Sequence, residues 1–141
     1  AKRVPKPEDV HAPIWCSISP DNCLKPIEGT VVYILEVPED KVMYFDDVKW
    51  DYVLNRIYLP DDEEDEKAYK QHLKDIGVSN GFEFFQGRYK GMYPEEEARI
   101  RESWKRAFRI DKWTIFNVCG NIWEIRQEWV KRIVKPGEAV K

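Results

Sequence analysis

Glu124 lies between Trp123 and Ile125 near the end of the chain, where a carboxylate on a strand could be held against a ligand and act as acid or base. Strand alternation allows the opposite placement as well, with Glu124 and Arg126 facing solvent. A second candidate set lies in residues 77–94, where Gly77, Gly81, Gly87 and Gly91 interleave with Phe82, Phe84, Phe85, Arg88, Tyr89, Lys90 and Tyr93. Glycines at that density predict a long irregular loop, and such loops often carry function. Its Phe84, Phe85 and Tyr89 rings, with the charges of Arg88 and Lys90, could stack on a base or grip a partner's side chain. The same rings could instead pack locally and hold the loop down. Trp15 and Trp123 complete the candidate binding set as walls of a cleft.

The remaining reactive types form few constellations. Cys16, Cys23, Cys119 and His11 could make a tetrahedral zinc set only if folding gathered them, because no C-x2-C or H-x3-H pair is present. An odd number of cysteines in a chain this size fits reduced thiols, so the expectation is no metal and no cofactor. With only His11 and His72 available, a histidine triad has few ways to form, and His72 is expected at a solvent edge. The phosphate-binding loop, the dinucleotide-binding glycine pattern, the H-E-x-x-H helix and the G-x-S-x-G elbow are all absent.

Composition bounds the class. The chain has 141 residues, 43% of them apolar and 13% aromatic, which predicts a single domain with a real core. Charged residues are 35% but nearly cancel, for a net charge of −3, which disfavours a nucleic-acid partner. No apolar run approaches the length that spans a bilayer, and the charged, proline-bearing start carries no apolar leader segment. A cytoplasmic protein away from membranes is expected.

The elements that must position these residues read as an α+β fold, a small mixed or antiparallel sheet packed by about three helices. Residues 1–12 form an extended arm. Strands are predicted at 14–18, at 30–37 as a central strand, and at 41–45. A helix follows from Asp46 or Asp47, with Trp50, Val53, Leu54, Ile57 and Tyr58 on one face and Pro60 closing it. The six acids of residues 61–66 suit the front of a surface helix over 63–76, stopped by Gly77 and with its acids solvated. Another helix spans 95–110, with Glu97/Arg101 and Glu102/Arg106 as pairs one turn apart. Strands at 113–118 and 122–125 are predicted on either side of a Cys119-Gly120-Asn121 turn or bulge. Residues 127–134 fit a strand or a short helix, and 135–141 form a tail.

Several fragments in order resemble an uncharacterised bacterial and phage domain family: Pro13-Ile14-Trp15, then Trp50-Asp51-Tyr52-Val53-Leu54-Asn55, Ser103-Trp104 with Phe108, and Trp123-Glu124-Ile125. The family's segments are P-I-W, W-x-x-V-L-N, S-W-x-x-x-F and W-E-I, covering about residues 12–134. Asp51 stands where the family often has His, Cys119 stands where it has Gln, and only about a dozen residues precede the P-I-W segment. The resemblance implies an α+β fold and no assigned activity. A weaker architectural likeness is to small ADP-ribosyltransferase-like domains, in which a late Glu contacts the nicotinamide ribose. That likeness implies NAD as cofactor and Glu124 in the Glu role. Arg3 and His11 fit the family's early cofactor-holding residue poorly.

The leading expectation is a non-catalytic binding or regulatory module, phage- or mobile-element-encoded, acting as an inhibitor of a host protein. Two alternatives stand beside it. One is an NAD-dependent ADP-ribosyltransferase, which a solvated outer face for Glu124 would exclude; the other is a single-stranded nucleic-acid binder. Exposed aromatics would suit a homodimer contact equally well.

Overall fold

A computed structural model describes residues 3–141. The chain divides into two compact units, Ala1–Phe45 with Ile110–Lys141, and Asp46–Arg109. Among the described residues the fold is α+β, with three α-helices and five strands in two small antiparallel sheets. No helix among these residues is long and apolar enough to cross a membrane.

In the first unit, β1 (Ile14–Ser17) pairs antiparallel with β4 (Val118–Ile122), Ile14 opposite Ile122 and Ser17 opposite Cys119. β3 (Met43–Asp46) flanks β4 on its other side. The second sheet is a ribbon of β2 (Val32–Leu35) and β5 (Val130–Val134), with a slip in register between Ile34 and Leu35. The β-branched run at 30–37 is therefore not a central strand. Its Tyr33 faces Ile133 across the ribbon and both are exposed, which a strand buried on both faces would not allow.

The strand expected at 113–118 is replaced by a turn. Thr114 accepts the Asn117 and Val118 N–H groups at its carbonyl, at 3.2 and 3.1 Å, and the Asn117 N–H also meets its hydroxyl at 3.1 Å. Local bonding of this kind competes with a sheet ladder. Cys119-Gly120-Asn121 is not a turn but the middle of β4. A Cβ at Gly120 would come within 3.1 Å of a Val42 methyl, so this glycine marks close packing rather than a change of direction. Residues 127–134 take both predicted forms in succession, a 3-10 turn at Gln127–Trp129 and then β5. Phe45, Val118, Ile122, Trp129 and Val134 are buried in this unit.

The second unit begins where the Asp46 carboxylate accepts the Lys49 N–H and opens α1 (Asp47–Leu54). α1 stops short of the expected face, so Ile57 and Tyr58 lie beyond it. Its Trp50 ring meets Phe108 edge-on, on the 3-10 turn Trp104–Phe108. Tyr58 joins a core with Tyr69, Leu73, Val78, Phe84, Phe85 and Ile100. α2 (Glu63–Asp75) is capped by Asp62, and α3 (Pro94–Ser103) opens on proline with three Glu in its first turn, where carboxylates favour the positive end of the helix.

The acidic run is anchored rather than wholly solvated. Asp61 pairs with Arg109, and Asp65 accepts the Tyr58 hydroxyl and the Asp61 N–H, each at 2.8 Å. Glu66 pairs with Lys70 at 2.5 Å. Of the pairs expected on α3, Glu102 takes Lys105 instead, and Arg106 turns to the Leu59 carbonyl and to Asp65.

Candidate functional site

The backbone that closes α1 shapes the site. Past the cap residue Asn55, the Arg56 N–H donates to the Val53 carbonyl at 3.2 Å and the Ile57 N–H to the Tyr52 carbonyl at 2.8 Å. This paired pattern needs a left-handed residue at its centre, and glycine usually fills that place. α2 ends on the same pattern, with Gly77 donating to Lys74 and Val78 to Leu73. Gly77 has φ +74°, whereas α1 places Arg56 there at φ +55°. An L-residue in that conformation costs about 1–2 kcal/mol. The Arg56 side chain recovers nothing by pairing, since it has no hydrogen-bond or ion-pair partner among the described residues.

Arg56 borders an open groove of about 560 Å³, lined by Val53, Arg56, Phe85, Lys90, Gly91, Glu97, Arg101 and Trp104. α1 supplies Val53, the chain beyond the Gly81–Phe84 turn supplies Phe85, Lys90 and Gly91, and α3 supplies Glu97 and Arg101 one turn apart. The apolar wall is built from Trp104 and Phe85, whose rings stack with centroids 5.8 Å apart. Trp104 is fixed by its indole N–H, which donates to the Ile57 carbonyl at 2.8 Å. The Arg101 guanidinium lies over both rings, 5.1 Å from Phe85 and 5.7 Å from Trp104, an arrangement favourable to a cation. Three cations against one carboxylate give the groove a positive excess on a chain of net charge −3.

The residues expected from sequence are dispersed. Phe85 and Lys90 meet in this groove. Phe84 is fully buried in the core and presents no face to a ligand, and Phe85, only 7% exposed, is wall rather than mobile rim. Arg88 lies over the Tyr89 ring at 5.4 Å, and Tyr89 meets Tyr93 edge-on; neither Arg88 nor Tyr89 lines the groove. Trp15 and Trp123 belong to the first unit, Trp15 edge-on to Phe45 at 5.0 Å and Trp123 donating its indole N–H to the Val4 carbonyl.

Glu124 follows β4 rather than lying on a strand. Its side chain is 47% exposed and paired with Arg126 at 2.7 Å. This is the more solvated of the two placements that strand alternation allowed. Arg56, Arg101 and Trp104 were not singled out from sequence. Arg101 read as half of a surface pair and Trp104 as part of the S-W-x-x-x-F segment, while Arg56 carried only a faint signal, a helix end without glycine.

Other reactive groups are arranged for structure. His72 lies at the partly exposed edge of α2, its Nε2 2.6 Å from Glu96. Burial pushes the neighbouring Tyr69 hydroxyl up to about 12, assisted by the charge of Glu96. Burial likewise raises the Cys16 thiol, which weakens it as a nucleophile. None of the three cysteines is in a disulfide. Among the described residues no three His, Cys, Asp or Glu side chains are gathered to hold a metal ion.

A family model described as a domain of unknown function (DUF3841) matches residues 1–131. No curated protein and no solved structure matches the chain.

Proposed function

We propose that this chain, which belongs to the DUF3841 family of domains of unknown function, is a non-catalytic binding module that engages a protein partner through the groove of its second unit. One observation carries the reading: Arg56, Lys90 and Arg101 line the groove with a single carboxylate, Glu97, and with the stacked Phe85 and Trp104. A concave apolar wall with a few convergent charges is the usual form of a binding site. Aromatic and arginine side chains are also the types that most often carry interface energy. An acidic segment with an apolar anchor complements this surface in both charge and shape.

Two further points belong to the same proposal. The module works in the cytoplasm, where its three thiols, none of them in a disulfide, stay reduced. It acts as an inhibitor of a host protein and is carried by a phage or mobile element, a reading supported by the absence of the familiar catalytic signatures.

The test is a pull-down at micromolar bait from lysate of the host cell, using the intact chain and the double variant Lys90→Glu/Arg101→Glu. The intact chain should retain a partner that the variant releases, with both melting within a few degrees of each other. Equal recovery by the two baits, or recovery of nothing, overturns the groove as the interface.

A further inference from the structure

We propose that Arg56, Lys90 and Arg101 form a subsite for a phosphate monoester, the phosphorylated side chain of the segment that the groove accepts. This inference rests on the binding-module reading and narrows its partner to a phosphoprotein.

Arg56 supplies the first argument. The chain places an arginine where the motif favours glycine, as the twin motif at Gly77 demonstrates, and leaves the guanidinium without a partner among the described residues. A strained backbone conformation of this kind persists where something else is gained, and such residues cluster at ligand sites. Packing is not the gain, since Arg56 is exposed, but a charge held at the groove's edge is.

Charge balance supplies the second. Three cations and Glu97 leave the groove two positive charges in excess. A carboxylate would neutralise one of them, whereas a phosphate monoester carries roughly −1.5 to −2 at neutral pH and matches the excess. Arginine also offers two parallel N–H donors to phosphate oxygens, a geometry that a lysine or a neutral donor lacks.

Space supplies the third. Gly91 lines the groove at φ +75° with nothing within 4 Å of where a Cβ would stand, so the backbone there is open to a bulky oxyanion. A nucleic-acid phosphate is the less favoured source. Single strands are held by successive exposed rings along a basic track, and Phe84 and Phe85 are buried.

The experiment is a titration of the 15N-labelled chain at neutral pH with inorganic phosphate, and separately with O-phosphoserine, serine, acetate and an oligothymidine strand. Phosphate and O-phosphoserine should each produce saturable shifts at the Arg56 and Gly91 amides and the Trp104 indole N–H, with Kd on the order of 1 mM. Serine and acetate should produce none at equal concentration. Arg56→Gly should weaken phosphate binding by about tenfold or more while melting no lower than wild type, because glycine relieves the left-handed strain.

Absence of saturable shifts, equal response to acetate, or unchanged affinity in Arg56→Gly each overturns the proposal. Tighter saturation of the same residues by oligothymidine also overturns it, in favour of nucleic acid. Failure here is separable from failure of the binding module itself. A partner still retained by the wild-type bait after phosphatase treatment of the lysate, and still released by Lys90→Glu/Arg101→Glu, leaves the module standing and removes the phosphate.

Discussion

The hydroxyl of Ser103 accepts the Leu59 N–H at 2.9 Å and donates to the Ile100 carbonyl at 2.6 Å, and both Ser103 and Leu59 are buried. Ser103 is the last residue of α3, and Leu59 lies in the stretch between α1 and α2, so this side chain bonds two separate segments of the second unit. Ser103→Ala strands the buried Leu59 N–H, and stranding a buried donor costs about 1–3 kcal/mol. Urea unfolding should register that loss with an unchanged slope. A loss below about 0.5 kcal/mol would mean that Leu59 finds another acceptor.

Gly77→Ala should destabilise the chain by about 1–2 kcal/mol through backbone conformation alone. No atom lies within 4 Å of the added Cβ, while φ is +74°. Thermal unfolding compares this variant with wild type. An Ala that melts as wild type would show that α2 can end without its left-handed residue.

The elements legible in the sequence are those with local causes. α2 was readable because Asp62, the acids of its first turn and Gly77 are capping chemistry written along the chain. β1 and β3 were readable from short apolar runs bounded by turn residues. What was not legible depended on tertiary neighbours. Gly120 looks like a turn residue unless Val42 is known to press on it, and Phe84 looks like a loop aromatic unless the core of Ile100 and Tyr69 is known to receive it. The groove is harder still, because its walls come from three separated segments. Phe85, Lys90 and Gly91 stood out in sequence, but the other cations of the groove, Arg56 and Arg101, resembled ordinary surface charges.

Asp65 should make stability depend on acid pH. Burial pushes its carboxyl up, but the Asp61 N–H, the Tyr58 hydroxyl and the charges of Arg106 and Arg99 outweigh this and hold it below its ordinary 3.8. A depressed folded value means that the unfolded chain binds the proton more readily, so stability from this group is present above about pH 3.8 and is lost as pH falls through the folded value. Asp65→Asn should cost about 1–3 kcal/mol at neutral pH by removing the charged acceptor. It should also flatten the decline in melting temperature below pH 4. A variant whose acid profile parallels wild type would show that other carboxylates carry the transition.

Glu124 should prove dispensable. Its pair with Arg126 is an exposed one, of a kind usually worth about 0–1 kcal/mol, so Glu124→Gln should melt within a few degrees of wild type. Millimolar NAD should shift neither protein. A rise in melting temperature with NAD in wild type that disappears in Glu124→Gln would instead support the transferase reading and place Glu124 at the site.

Trp104 performs two separable tasks, and two variants divide them. Its indole N–H ties α3's end to the Ile57 carbonyl, immediately after Arg56, while its ring builds the groove wall against Phe85. Trp104→Phe keeps an aromatic ring and loses the N–H. Because Ile57 is exposed, water can satisfy its carbonyl, and the loss should be near 1 kcal/mol. Trp104→Ala removes the wall as well, and large-to-small changes of this kind cost about 3–5 kcal/mol when the ring is fully buried. Trp104 is half-buried, so about 2–3 kcal/mol is expected by the same rule. Circular dichroism melts rank the two variants, and a pull-down with the Phe variant asks whether the wall still receives its partner. If Phe costs as much as Ala, the hydrogen bond rather than the ring holds the α1 end in register with α3. Arg56 would then owe its place in the groove to the Trp104 N–H.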